Sequence, residues 1–377
     1  MLFVSRLEQG ERMTELCVEF GISRKTGHKI WSRYKRKGPT GLEDESRAPR
    51  RIANKTSAEI EQRLVALRKQ HPTWGGRKMR DWLCEHEGSV PWPRPSTMTD
   101  ILRRNGLIDP NGRRSQSHRR KPSVAWSTLK EPEGPNDVWC IDYKGQFRLG
   151  NRQYCYPLTT SDLFSRFLLT VESLDGTDEE QARPVYEEAF RLYGLPLVIR
   201  SDNGPPFAST GLLGLTRLSV WWMRLGIVHQ RIEPGHPEQN AQHERMHRTL
   251  KAETTRPAGE NSLQQQERFD SFRDEYNNDR PHEALGGKAP AKVYQPSPRH
   301  FPEKLPEPSY PLHDDTRWVD RSGHIRLPMS RQVYLSEALV GQLVGLRERD
   351  DGLWLVTFLD HDLGHYDPRR GIFTPNT

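Results

Sequence analysis

Apolar positions recur at three- and four-residue spacing through the first hundred residues, then give way to short alternating or continuous runs. Met13, Leu16, Cys17 and Phe20 fall on one side of a helix over residues 11–20. Gly21 offers a positive-φ turn and Ser23 an N-cap for a second helix, Arg24 to Lys35, whose inner face holds Ile30, Trp31 and Tyr34. Arg24, Lys25, Lys29 and Arg33 point outward, so the pair reads as a helix-turn-helix whose basic second helix suits a DNA major groove. Pro39 and the stretch from Gly41 to Ile52 break the pattern, and "ESRAPRR" reads as an extended basic linker. A second helical unit follows. Ser57 caps a helix bearing Ile60, Leu64 and Leu67; Trp74 and two glycines lead to one bearing Met79, Trp82 and Leu83; Ser96 caps a third with Met98, Ile101 and Leu102. Residues 112–121, arginine-rich and without period, read as a basic arm along phosphates or a minor groove.

From about Pro135 the runs shorten. Strands are expected at Val138–Tyr143, Gln153–Thr160 and Phe167–Val171, a helix at Asp178–Tyr193 and a strand at Leu197–Arg200. A helix over Leu215–Leu225, a strand at Ile227–Ile232, a helix carrying Glu244 and another over residues 263–280 complete this region, an α/β class. Pro290–Pro311 reads as a linker. Beyond it, His324–Leu327, Gln332–Leu335, Val344–Arg347 and Trp354–Leu359 are short strands separated by turn signals. The expected domains are 1–50 and 51–125, both helical and DNA-binding, 126–295, α/β, and 312–377, small and all-β.

Charge sharpens this division. Residues 1–125 carry 27 Lys and Arg against 14 Asp and Glu, whereas the remaining 252 carry 30 against 36. Nucleic-acid contact is therefore expected mainly at the N-terminal end. Cys17, Cys84, Cys140 and Cys155 show no zinc-site spacing and read as buried, reduced thiols. No apolar run approaches membrane-spanning length, and the residues after Met1 are too few for a signal sequence. The expectation is a cytoplasmic, nucleoid-associated protein with no membrane partner. Met1 stands close to the first helix, which leaves room for a longer native N-terminus.

Three acids then stand out. Asp142 ends the run Val-Trp-Cys-Ile-Asp142, Asp202 ends Leu-Val-Ile-Arg-Ser-Asp202-Asn-Gly, and Glu244 lies on a helix. Two strand-end aspartates and a helical glutamate are hard oxygen donors suited to two Mg²⁺ ions, with Mn²⁺ able to substitute. Such a pair stabilises both the attacking and the leaving oxygen of a displacement at phosphorus. Taken singly, Asp142 and Asp202 also suit turns, and Glu244 suits a surface ion pair with Arg248. Asp162 reads as a turn cap instead.

In their surrounding words, "RSDNGPPF", "EPGHPEQN" and "HERMHRTLKAET", the three acids resemble the DDE signature of insertion-sequence transposases with a retroviral-integrase-type core. The resemblance runs from Glu11 to about Val293. It implies an RNase H-like catalytic core, a second helix-turn-helix over the second helical unit, and an SH3-like C-terminal barrel for DNA or subunit contact. The third acid has two candidates. Glu238 follows Asp202 with 35 residues between, the usual spacing of the superfamily, and Glu244 with 41 between. Glu244 sits inside the helix with His247, Arg248 and Lys251 following on its face, and family usage places the glutamate four residues after the Asn of "Pro-x-x-Asn", here Asn240. Glu244 is therefore favoured, with the surplus residues assigned to an enlarged loop at Ser209–Thr216. His247, Arg248 and Lys251 are expected to grip phosphates, and Asn203, Gly204 and Asn240 to position the DNA backbone. Ala241 stands where relatives usually have Gly, a better helix former at the same place. The implied activity is transposition: binding terminal repeats of double-stranded DNA, cleaving at element ends and joining a 3′-hydroxyl to target DNA, as a dimer or higher assembly. The alternatives are an RNase H-like nuclease without strand transfer and a non-catalytic DNA-binding regulator with a degenerate core.

Overall fold

A computed structural model describes residues 2–44, 55–108, 129–233, 236–327, 331–349 and 352–376. Most of the basic linker after Asp44 and all of the arginine-rich arm at 112–121 lie outside these residues. The chain forms two compact units, Met1–Ser57 and Ala58–Thr377.

The first unit contains three helices, α1 (Leu2–Glu8), α2 (Met13–Glu19) and α3 (Arg24–Lys37). The seven residues of α1 are too few to show a period, yet Phe3 and Val4 bury against Leu16 and Cys17 and close the bundle. Gly21 adopts φ +60°, and the Ser23 hydroxyl accepts the Thr26 N–H at 3.1 Å, as the turn and cap reading requires. Gly27 is the residue the helical period does not explain. A Cβ there would fall 2.5 Å from Cys17 Sγ, so glycine lets α3 lie directly on α2.

In the second unit α4 (Ala58–Gln70), α5 (Gly76–His86) and α6 (Pro95–Arg104) close over Leu64, Leu67, Trp74, Met79, Leu83, Met98, Ile101 and Leu102. The third helix begins at Pro95, not after a Ser96 cap. Proline suits the first helical position because it has no N–H left without a partner there.

The α/β region is built on β1 (Val138–Tyr143), β2 (Phe147–Arg148), β3 (Tyr154–Asp162), β4 (Leu168–Leu174), β5 (Val198–Ser201) and β6 (Val228–Arg231). β3 pairs antiparallel with β1, β2 and β4, while β1, β5 and β6 run parallel. Alternate residues of β1 face opposite sides. Trp139 and Ile141 pack with Tyr186 and Phe190 of α7 (Glu179–Tyr193) and Trp222 of α8 (Arg217–Arg224). The opposite face is covered by α9 (Ala241–Thr254) and α10 (Ser262–Asn278), where Met246, Leu250, Phe269 and Phe272 meet Leu168 and Val171.

The proline-rich segment after residue 290 is a strap rather than a free linker. Tyr294 stacks on Phe167 with centroids 4.3 Å apart, Phe301 and Leu305 join the core, and the Ser297 hydroxyl donates to the Leu195 carbonyl at 2.7 Å.

Beyond it, β10 (Leu343–Glu348) and β11 (Trp354–Phe358) sit in a five-stranded antiparallel sheet with β7 (Asp315–Trp318), β12 (His361–Asp367) and β13 (Ile372–Pro375). β8 (His324–Leu327) and β9 (Arg331–Tyr334) form a separate ribbon, and no ladder joins β13 to β7 among the described residues. The C-terminal part is thus all-β, as expected, with three strands the apolar pattern did not show. Its core takes in Val220 of α8 and packs against Leu212, Leu213, Leu215 and Met223. The enlarged loop at Ser209–Thr216 is therefore where the C-terminal sheet is seated.

Candidate active site

The parallel pairing of β1 with β5 matches Val138 with Val198, Trp139 with Ile199 and Cys140 with Arg200. Carried two residues further, the same register sets Asp142 beside Asp202. Adjacent strands lie about 4.8 Å apart, and residues level in register share a face, so both carboxylates emerge together at the carboxyl end of the sheet. Asp202 is held by its turn: Oδ1 accepts the Gly204 N–H at 3.1 Å, and a Cβ on Gly204 would crowd the carboxylate at 3.2 Å. The Asn203 amide donates to the Ile232 carbonyl at 2.7 Å, tying this turn to the end of β6.

Glu244 lies exposed in the first turn of α9, and Glu238 in the 3₁₀ turn Pro237–Asn240 ahead of it. The Glu238 side chain is outside what the structure describes. Burial raises the Asp142 pKa to about 7, and the charges of Asp202 and Glu244 push it the same way against the opposing pull of Lys144. Among the described residues no three His, Cys, Asp or Glu side chains stand at metal-ligating distance. The donor set nonetheless fits a divalent cation: three oxygen ligands whose mutual repulsion a cation would relieve.

Behind the carboxylates lies a network that the sequence motifs did not reveal. Thr159 on β3 donates its hydroxyl proton to the Asp142 carbonyl at 3.0 Å. The same oxygen stands 2.7 Å from His243 Nε2 and 2.6 Å from His247 Nε2. A hydroxyl has one proton and two lone pairs, so both imidazoles must donate from Nε2. Their Nδ1 atoms are then acceptors: that of His243 takes the Ser161 hydroxyl at 2.8 Å, and that of His247 faces Asp142 Oδ2 at 3.7 Å. Burial lowers the His243 pKa to about 3 and holds His247 well below the usual range, with His243 and Lys144 acting the same way on the latter, so both are neutral near pH 7. This triangle pins α9 to β1 and β3 and sets the register of Glu244 against Asp142. The sequence did carry one signal, a histidine pair four residues apart on one helix face.

Replacing Thr159 by Val strands two buried N–H donors at about 1–3 kcal/mol each, so a lower urea midpoint is expected. An unchanged midpoint would refute the network.

Several expected DNA contacts are placed differently. His247 is buried and turned inward, because the helical period puts it on the Met246–Leu250 side of α9. Asn240 is also buried. Arg33 is half-buried, and its guanidinium donates to the Glu43 carbonyl, so it braces the turn after α3. Arg24, Lys25, Lys29, Arg248 and Lys251 are exposed, as a phosphate-facing role needs. Asp162 caps the β3–β4 turn, accepting from Asn136 N–H, Ser165 N–H and the Ser165 hydroxyl at 2.5–2.7 Å. Cys17, Cys140 and Cys155 are buried, but Cys84 is exposed. A cleft of about 820 Å³ lies away from the three acids, and its walls carry Glu179, Glu180, Glu187 and Glu337, a poor surface for nucleic acid. No helix among the described residues is long and apolar enough to cross a membrane.

With this geometry, the relatives fall into place. Residues 132–237 and 225–290 match family models described as integrase core domain, and residues 26–102 match a homeodomain-like domain. The chain is 28% identical over 231 residues to the insertion element IS476 uncharacterized 39.2 kDa protein of Xanthomonas euvesicatoria, covering 61% of this chain and 63% of that one. It is 27% identical over 232 residues to the insertion element IS407 uncharacterized 31.7 kDa protein of Burkholderia multivorans, covering 61% and 78%. The HTLV-2 integrase catalytic core domain, solved in complex with magnesium, aligns at TM-score 0.36 and 18% identity over 44% of this chain and all of that one. The chain is thus similar to proteins of insertion elements, with an integrase-core match over residues 132–290 and a homeodomain-like match ahead of it.

Proposed function

We propose that the chain is a DDE transposase that binds the terminal repeats of its element, cleaves at the element ends and joins the freed 3′-hydroxyl to target DNA. The observation that carries this reading is the meeting of Asp142 and Asp202 at the end of two parallel strands, with the charge of Glu244 felt at Asp142. Asp142, Asp202 and Glu244 would hold Mg²⁺, two ions per site, with Mn²⁺ as substitute. When bound, the ions supply a low-pKa water or hydroxyl and neutralise charge at phosphorus. The chain's own groups hold the substrate: Arg248 and Lys251 face the phosphates flanking the scissile bond, Asn203 steadies the Asp202 turn, and the Thr159–His243–His247 triangle keeps α9 in register. The exposed cations of α3 would lie in the major groove. Because two ends are cut together, the acting form is a dimer or larger, at the nucleoid. The C-terminal strands are read as an SH3-like element for DNA or subunit contact.

The test is strand transfer by purified protein with Mg²⁺, a labelled duplex carrying the terminal repeat, and a plasmid target. Joined product is expected. Cleavage without joining would favour a nuclease, and metal-independent binding alone a regulator.

A further inference from the structure

The helical unit α4–α6 is docked on the integrase core by polar pairs. His71 Nδ1 meets Glu275 at 2.8 Å, the Thr73 hydroxyl accepts from Arg280 at 3.2 Å, and Arg77 and Glu85 pair with Glu283 and Lys292. Beside these contacts a cleft of about 380 Å³ opens between α5 and the core. Its charge is lopsided. Lys78 of α5 lines one wall, and Arg166, Arg245 and Arg248 line the other, with Glu283, already taken by Arg77, the acid among the lining residues. Among the described residues none of these four cations has an ion-pair partner.

Two further details point to a missing anion. Arg166 Nη1 and His282 Nε2 are buried in the cleft region without a hydrogen-bond partner. Arg166 is also held there by the backbone, at φ +66° in the turn that Asp162 caps. Burial, and then Arg280, lowers the Lys78 pKa to about 8 against the weaker opposing pull of Glu253 and Glu275. Lys78 and Arg166 are half-buried without an ion-pair partner, which is costly, and an anion between them turns their repulsion into attraction. Arg245 and Arg248 stand one and four residues beyond Glu244 on α9, so an anion in the cleft lies about one helical turn from the candidate third acid.

We propose that this cleft binds a phosphate of the DNA backbone, gripped by Lys78 of the helical unit on one side and by Arg166, Arg245 and Arg248 of the core on the other. A strand held there ties the helical unit to the core and leads toward the carboxylates. The proposal rests on the DNA-processing reading above but assigns a site outside the catalytic acids.

The test is duplex affinity against salt, measured by fluorescence anisotropy with the full chain and a 30-bp duplex, in EDTA. Lys78→Gln and Arg166→Gln should each make the log–log salt dependence shallower by about one and weaken binding about tenfold at physiological salt, while Arg166→Lys restores it. A purely structural role would lower the thermal midpoint but leave the salt slope of the folded variant unchanged, which would overturn the proposal. Protection of Lys78 and Arg166 by inorganic phosphate, with duplex slopes unaltered, would assign the cleft to a free anion and overturn the DNA assignment. Shallower variant slopes in EDTA, beside no strand transfer by the wild type in the separate Mg²⁺ assay, would sink only the transposase reading. Strand transfer with unaltered slopes would sink only the cleft.

Discussion

Glu244→Ala is expected to abolish metal-dependent cleavage and joining while leaving duplex binding intact, and Glu238→Ala to retain most activity. Removing one of three ligands from a two-metal site forfeits several kcal/mol of transition-state stabilisation, and about 4 kcal/mol is already 10³-fold in rate. Glu244 lies exposed beside the His243–His247 face of α9 that packs on β1 and β3, and its charge reaches Asp142. Glu238 belongs to the 3₁₀ turn ahead of that helix, where an acid mainly complements the helix dipole. The rate of joined-product formation separates the two. An active Glu244→Ala beside an inactive Glu238→Ala would reverse the assignment, as residue spacing alone suggests.

Asp142→Asn is expected to move activity and stability in opposite directions. Cleavage should fall by a similar factor, because amide oxygen carries no charge to hold a cation. Metal-free stability should rise, for a reason of sign. Folding lifts the Asp142 pKa from the ordinary 3.8 to about 7, so the folded state resists its ionisation. The stability tied to the protonated form is complete below pH 3.8 and is lost progressively as pH rises through about 7. Asparagine does not titrate. The gain in thermal midpoint over wild type should therefore be small near pH 4, grow up to about pH 7 and level off above it, at about 2–4 °C per kcal/mol. Melting curves at four pH values in EDTA suffice. Mg²⁺ should close the gap from the other side by stabilising the wild type alone. A gain independent of pH would mean that Asp142 is not the titrating group.

The parts of this architecture that sequence exposes are those where pattern and chemistry coincide. β1 was read to the residue at Val138–Tyr143 because a continuous apolar run ends in a charge, and β8 at His324–Leu327 because turns flank it. α1 escaped because seven residues cannot display a period, and β12 because His361, Asp362 and Gly364 interrupt its alternation. At the site, motif words pointed to the acids. They could not say that Thr159, on another strand, organises His243 and His247, since that depends on the β1–β3 register. The same limit explains His247. A basic residue on a helix reads as a phosphate contact until the sheet beneath it is known. Arg166 escaped as well, for a turn residue shows its orientation only once the turn is built.

One consequence follows from the seat of the C-terminal sheet. Leu212, Leu213, Leu215, Val220 and Met223 belong to the integrase core in sequence but to the C-terminal sheet in packing. A gene copy interrupted downstream of residue 311 would encode a chain with its N-terminal helices intact and this apolar face uncovered. Such decayed copies would yield polypeptides that cling together rather than free monomers.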